Sequence, residues 1–164
     1  MNLTHEAGSC SKVPAVLREG LGWPVARIAH AFTAAHNEAL APFGLSLRTF
    51  AVLATVAAGS LRSQLEIAQS VGLDKTTLVA TIDDLERHAL VLRKPDPDDR
   101  RARILEITAA GEALLAQASD AVRSTERKVL AGMPEERIAQ TQAALVALLS
   151  GPLYEYFDRA GSCL

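Results

Sequence analysis

Apolar positions recur every three or four residues along most of this chain, and the breaks in that rhythm divide it into elements. Val25, Ile28, Ala29, Phe32, His36, Ala39 and Leu40 share one face of a helix that begins near Trp23. Pro42 and Gly44 stop it. Ser46 is placed to cap a second helix to about Ala58, closed by Gly59. Ser63 and Glu66 have capping-box spacing, in which each side chain satisfies the other residue's free backbone N–H. They open a short helix, Gln64 to about Ser70, which ends at Gly72. Asp74 caps the next, Lys75 to about His88, with Leu78, Ile82, Leu85 and Ala89 as its buried stripe. Two helices joined by a tight glycine-containing connection, the second capped and amphipathic, form a helix-turn-helix signature.

After residue 90 the period changes. Val91–Lys94 and Arg103–Ile107 read as short strands on either side of a Pro-Asp-rich turn, KPDPDDRRAR. Thr108 caps a long helix to about Leu130. Gly132 and Pro134 break it, and Pro134 suits the first turn of a last helix reaching about Leu149. The predicted fold class is mainly α with a small two-stranded β-hairpin wing: a winged helix-turn-helix plus a helical region. Residues 1–21 read as a flexible N-terminal arm, and residues 46–107 as the winged helix-turn-helix. Residues 22–45 and 108–150 make the flanking helical region, and residues 151–164 a C-terminal tail.

Composition narrows the function. Apolar residues make up 49% of the chain and aromatic ones only 4%, which favours an Ala/Leu/Val helical core. Net charge is −2, so a nucleic-acid surface must be local. No apolar run approaches a membrane span, and the first twenty residues lack a signal-peptide pattern. The expectation is a soluble, cytoplasmic chain with no membrane partner. Cys10 and Cys163 lie near opposite ends and make no metal-ligand spacing, so neither a metal site nor a cofactor is expected. Nucleophile-elbow, phosphate-loop and dinucleotide motifs are absent, which argues against an enzyme.

The turn between the strands gathers three arginines in four positions, Arg100, Arg101 and Arg103, directly after Asp96, Asp98 and Asp99. A helix-turn-helix followed by such a hairpin places its second helix in a major groove and its wing against the adjacent backbone and minor groove. Permanent arginine charge suits a narrow minor groove, where negative potential is concentrated. Asp99 can pair with Arg101 or Arg103 and so orient a long side chain before DNA arrives. On the helix 75–88, Lys75, Thr76 and Thr77 occupy the first turn, which points deepest into the groove, while Ala80 and Arg87 follow on the outward row. Ser63 and Gln64 are candidate backbone contacts.

Ser63 to Gly111 resembles the core of the MarR family of bacterial transcriptional regulators, above all in Asp99-x-Arg101 and the Ile107-Thr108-x-x-Gly111 that follows. The likeness extends more loosely from about Trp23 to Ser150. It implies a homodimer built from the first and last helices, with 22–45 and 108–150 as the dimerisation region. It further implies two winged helices on a pseudo-palindromic operator, and repression released by a small aromatic or phenolic effector or by oxidation. Family members often carry Arg near position 80 and a basic residue near 84. Ala80 and Asp84 stand there in this chain, which shifts the expected affinity to the wing and the helix N-termini and the expected operator toward A·T-rich sequence.

The resemblance also places Trp23, Phe32, His36 and Phe50 near the effector pocket, with core packing as the alternative role for His36 and Phe50. Cys10 and Cys163 offer a second signal, thiol oxidation across the dimer, against the plainer reading of two inert thiols. A winged helix used only to bind protein is the remaining alternative; its binding would lack the steep salt dependence of phosphate contacts.

Overall fold

Side chains set the start of nearly every helix from Ser46 onward, and glycines end two of them. The structure, a computed structural model, describes residues 13–59, 63–96, 103–151 and 153. Its helices are α1 (Ala15–Arg18), α2 (Gly22–Leu40), α3 (Leu47–Ala58), α4 (Gln64–Val71), α5 (Lys75–Arg87), α6 (Ala109–Val129) and α7 (Glu135–Leu149). A 3₁₀ turn, Ala41–Phe43, follows α2, and the strands β1 (Val91–Pro95) and β2 (Arg103–Ile107) separate α5 from α6. The chain forms two compact units, Met1–Ala35 and His36–Leu164, with the division inside α2.

In the first unit, a single helical turn at α1 lies within the stretch expected to be a flexible arm. Val16, Leu21, Val25 and Ile28 are exposed there.

The second unit holds the core. Leu40, Leu45, Val52, Leu53, Ile67, Leu78, Ile82, Leu85, Val91, Ala118 and Val122 pack into one apolar cluster contributed by the end of α2 and its link to α3, by α3, α4 and α5, by the wing and by α6. Ser46 caps α3 as its position predicts: its Oγ accepts from the Thr49 N–H at 3.2 Å, and its own N–H donates to Thr49 Oγ1 at 2.7 Å. Asn37 Oδ1 accepts from the Leu47 N–H at 2.7 Å, which ties the end of α2 to the start of α3. The Ser63–Glu66 capping box is formed, with the Ser63 N–H donating to Glu66 Oε2 at 2.8 Å. Gly59 and Gly72 close α3 and α4 in the left-handed conformation that glycine adopts without steric cost.

The wing is antiparallel, in the register Val91–Ile107, Arg93–Leu105 and Pro95–Arg103. It joins α6 through one crowded contact. The Thr108 N–H donates to the Leu90 carbonyl at 3.0 Å, and Thr108 Oγ1 lies 2.8 Å from the Ala89 carbonyl and 3.2 Å from that of Leu90. The same Oγ1 accepts from the Gly111 N–H at 2.9 Å, capping α6. A Cβ on Gly111 would sit 2.2 Å from the Leu90 carbonyl oxygen. The Ile-Thr-x-x-Gly sequence thus has a steric reason: no side chain fits where α6 meets the exit of α5.

The end of α5 departs from the periodicity. Leu78, Ile82 and Leu85 are buried, but Ala89 is exposed and has φ of 55°. The chain has to reverse into β1, and it does so through a Schellman motif. The Leu90 N–H returns to the Leu85 carbonyl and the Ala89 N–H to that of Glu86, both at 2.9 Å. Thr81, a polar residue absent from the expected stripe, is buried and donates its hydroxyl to the Thr77 carbonyl at 2.8 Å. Among the described residues no single helix is long and apolar enough to cross a membrane.

Two substitutions test this geometry by thermal and denaturant unfolding. Gly111→Ala is expected to lose about 3 kcal/mol, because backbone rather than a movable side chain meets the new methyl. Ala89→Gly is expected to gain about 1 kcal/mol by relieving the left-handed alanine. Equal stability of all three proteins would contradict both expectations.

Candidate nucleic-acid interface

The first turn of α5 is held in place by its cap. Asp74 accepts from the Thr77 N–H at 2.9 Å and from the Thr77 hydroxyl at 2.5 Å. These bonds, the hydroxyl one foremost, hold the Asp74 carboxyl below the usual carboxylate range. The hydroxyl proton of Thr77 is therefore committed to Asp74, and what Thr77 offers outward is its methyl and the oxygen's remaining lone pair. Lys75, Thr76 and Ala80 are exposed on the outward row.

Beside this row runs an open groove of about 400 Å³. One wall is α5, with Thr76, Thr77, Ala80, Thr81 and Asp84; the other is the first turn of α3, with Ser46, Arg48 and Thr49. The expected DNA-contacting set omits the α3 wall. Its signal in the sequence is a solitary charge: Arg48 is the sole ionisable residue in LRTFAVLATVAA, directly after the Ser46 cap.

The remaining candidates fall in three places. Ser63 and Gln64 open α4, where the Ser63 hydroxyl is shared with Glu66 at 2.9 Å and Gln64 is half-buried. Arg87 is exposed and donates to Asp84 Oδ1 at 2.6 Å. On the wing, Arg103 is exposed at the base of the turn, and Lys94 pairs with Glu106 at 2.6 Å across the strands. Asp99, Arg100 and Arg101 lie outside the described residues. Sequence reasoning passed over Arg93, which reaches from β1 to two carboxylates of α5, Asp83 and Glu86.

The expected effector residues are distributed between the two units. Trp23 and Phe32 are half-buried in the first. In the second, Phe50 packs against the core cluster. His36 is largely buried, its Nε2 lying 3.2 Å from Glu126 Oε1 of α6, close enough for an ion pair but without hydrogen-bond alignment. Cys10 and Cys163 lie outside the described residues. Among the described residues no group of histidine, cysteine, aspartate and glutamate side chains converges to hold a metal ion.

Comparison with known proteins places this arrangement. Residues 43–102, which include α3, α4, α5 and β1, match the model of the MarR family. A transcriptional repressor, CouR, solved on a 23-mer DNA duplex, is 30% identical, with 82% of this chain and 95% of that one covered and a TM-score of 0.76. This chain belongs to the MarR family. A MarR-family transcriptional regulator from Rhodococcus sp. RHA1 is 26% identical over 85% of this chain and 100% of its own, with a TM-score of 0.77. CouR from Rhodococcus jostii RHA1, solved with p-coumaroyl-CoA, is 28% identical over 85% and 98% of the two chains, with a TM-score of 0.73. The helices and hairpin described above are the winged helix-turn-helix of this family of regulators, with α5 at the recognition-helix position and β1–β2 as the wing.

The cap of that recognition helix has a testable pH signature. A carboxyl with a folded-state pKa below its unfolded value stabilises the fold above the unfolded pKa. It loses that contribution as pH falls through the folded value. Asp74→Ala is therefore expected to lower the melting temperature near neutral pH, with the gap to wild type narrowing in acid. A gap independent of pH would show that the charged form of the cap contributes nothing.

Proposed function

We propose that this chain represses transcription as a homodimer that binds a pseudo-palindromic operator in the cytoplasm and is released by a small aromatic, phenolic ligand. The observation that carries the DNA-binding part is the exposed first turn of a firmly capped α5 standing next to an antiparallel wing, in a chain 30% identical to a repressor solved on duplex DNA. Lys75, Thr76, Thr77 and Ala80 face the major groove, with hydroxyl and methyl groups toward base edges. Ser63 and Gln64 of α4 and Arg87 of α5 approach the sugar-phosphate backbone, joined by Arg48 from the α3 wall of the groove. Arg100, Arg101 and Arg103 on the wing enter the flanking minor groove, with Asp99 orienting them.

Dimerisation is supported by apolar surface left open in a single chain. The helix α7 has no buried residue, and Leu145, Val146 and Leu149 are exposed on it. The exposed Val16, Leu21, Val25 and Ile28 of the first unit call for the same kind of cover. The ligand class is supported by the p-coumaroyl-CoA solved with CouR. Trp23, Phe32, His36 and Phe50 are assigned to its recognition, with His36 supplying the polar contact.

Selection from a random duplex library tests the reading. The expected product is an A·T-rich inverted repeat bound by a dimer in sedimentation, and p-coumaroyl-CoA serves as the first release probe. Arg48→Ala and Arg101→Ala are each expected to weaken binding and to lower the slope of log K against log salt by about 0.9, one phosphate contact apiece. A G·C-rich consensus would contradict the base-reading assignment. Binding that is absent or insensitive to salt would overturn DNA recognition and point to a protein partner.

A further inference from the structure

The second half of α5 is unusually acidic for a helix that faces DNA. Asp83 shares the outward row with Thr76, Ala80 and Arg87, Asp84 lines the groove, and Glu86 lies one turn beyond Asp83. Left bare, these carboxylates would repel phosphate. Each has a cation beside it. Asp84 accepts from Arg87 at 2.6 Å, and His88 Nδ1 lies 3.6 Å from the same oxygen. Asp83 and Glu86 share one guanidinium that does not belong to the helix. Arg93 Nη2 donates to Asp83 Oδ1 and Arg93 Nη1 to Glu86 Oε2, both at 2.5 Å.

Arg93 is well suited to this task. It projects from β1 opposite Leu105, and its side chain is more buried than either partner, at 28% exposed against 50% and 36%. Partial burial strengthens the pairing relative to a fully solvated bridge. The planar fork reaches two acceptors at once, which the point charge of a lysine does not reproduce.

We propose that Arg93 raises the DNA affinity of this regulator without touching DNA, by offsetting and holding back the charge of Asp83 and Glu86 on the recognition helix. The inference rests on the DNA-binding reading above. Arg93 is a positioning residue: it holds both carboxylates against the wing, away from the approaching backbone, and offsets half of their combined charge. It also accounts for how a recognition helix can keep Asp83 and Glu86.

The test compares four full-length proteins by fluorescence anisotropy on the duplex recovered by selection, over a range of salt: wild type, Arg93→Met, Asp83→Asn/Glu86→Gln, and the triple variant. Arg93→Met is expected to weaken binding about tenfold. The double variant is expected to bind at least as tightly as wild type, and the triple variant to match the double. The salt slope stays unchanged throughout, because no phosphate contact is lost. If Arg93→Met fails to fold, the triple variant, which leaves no charge unpaired, and Arg93→Lys carry the comparison, the latter with an intermediate loss. Unchanged affinity in Arg93→Met would overturn the proposal. So would a triple variant well below the double, with a slope lowered by about 0.9, since that result assigns Arg93 a direct phosphate contact. Absence of binding by wild type would instead overturn the DNA reading, and this inference with it.

Discussion

The structure depends on the point where the first turn of α6 presses against the Leu90 carbonyl. Gly111 lies so close that a single methyl would collide with that oxygen. Thr108 bonds to the backbone at Ala89 and Leu90 while capping its own helix. Three elements meet there: the end of the recognition helix, the start of the wing and the base of the long helix α6. Rigid placement matters because a DNA reader must present helix and wing together, in one register, before the complex forms. A groove contact displaced by a fraction of a turn meets the wrong base edge.

Electrostatics distributes the work between those elements. The recognition helix carries hydroxyl and methyl groups on its first turn and, toward its end, three carboxylates paired with Arg87 and with Arg93 of β1. In the proposed reading, attraction for phosphate comes from Arg48 across the groove, the arginines of the wing and the N-termini of capped helices, beside Lys75 and Arg87 on the helix itself. Such a division would separate shape and methyl readout by the helix from sequence-independent attraction by its neighbours. An overall charge of −2 is no obstacle to such a reading, which needs only a local cationic surface.

Local signals were strong where one residue type has one physical use. Ser46, Ser63, Asp74 and Thr108 announce helix starts because their side chains satisfy free N–H groups, and all four form those bonds. The turn of period from helix to strand at Val91 was legible for the same reason. What sequence could not supply was contact between distant positions. Asp83 and Arg93 are ten residues apart and belong to different elements, so their pairing follows only from the return of β1 along α5. Arg48 and Thr76 face one groove because α3 packs beside α5. Ala89 misled the periodicity, since an alanine in the left-handed conformation leaves no mark in composition, whereas a glycine there would have.

Chemical interference footprinting of the selected duplex tests the central claim most directly, with purine N7 modification reporting the major groove and adenine N3 methylation the minor groove. A dimer reading through α5 and the wing predicts two N7-sensitive segments about ten base pairs apart on one face of the duplex. Each should be flanked by N3-sensitive positions where a wing enters. Interference confined to the minor groove, or absent from both grooves, would contradict the account.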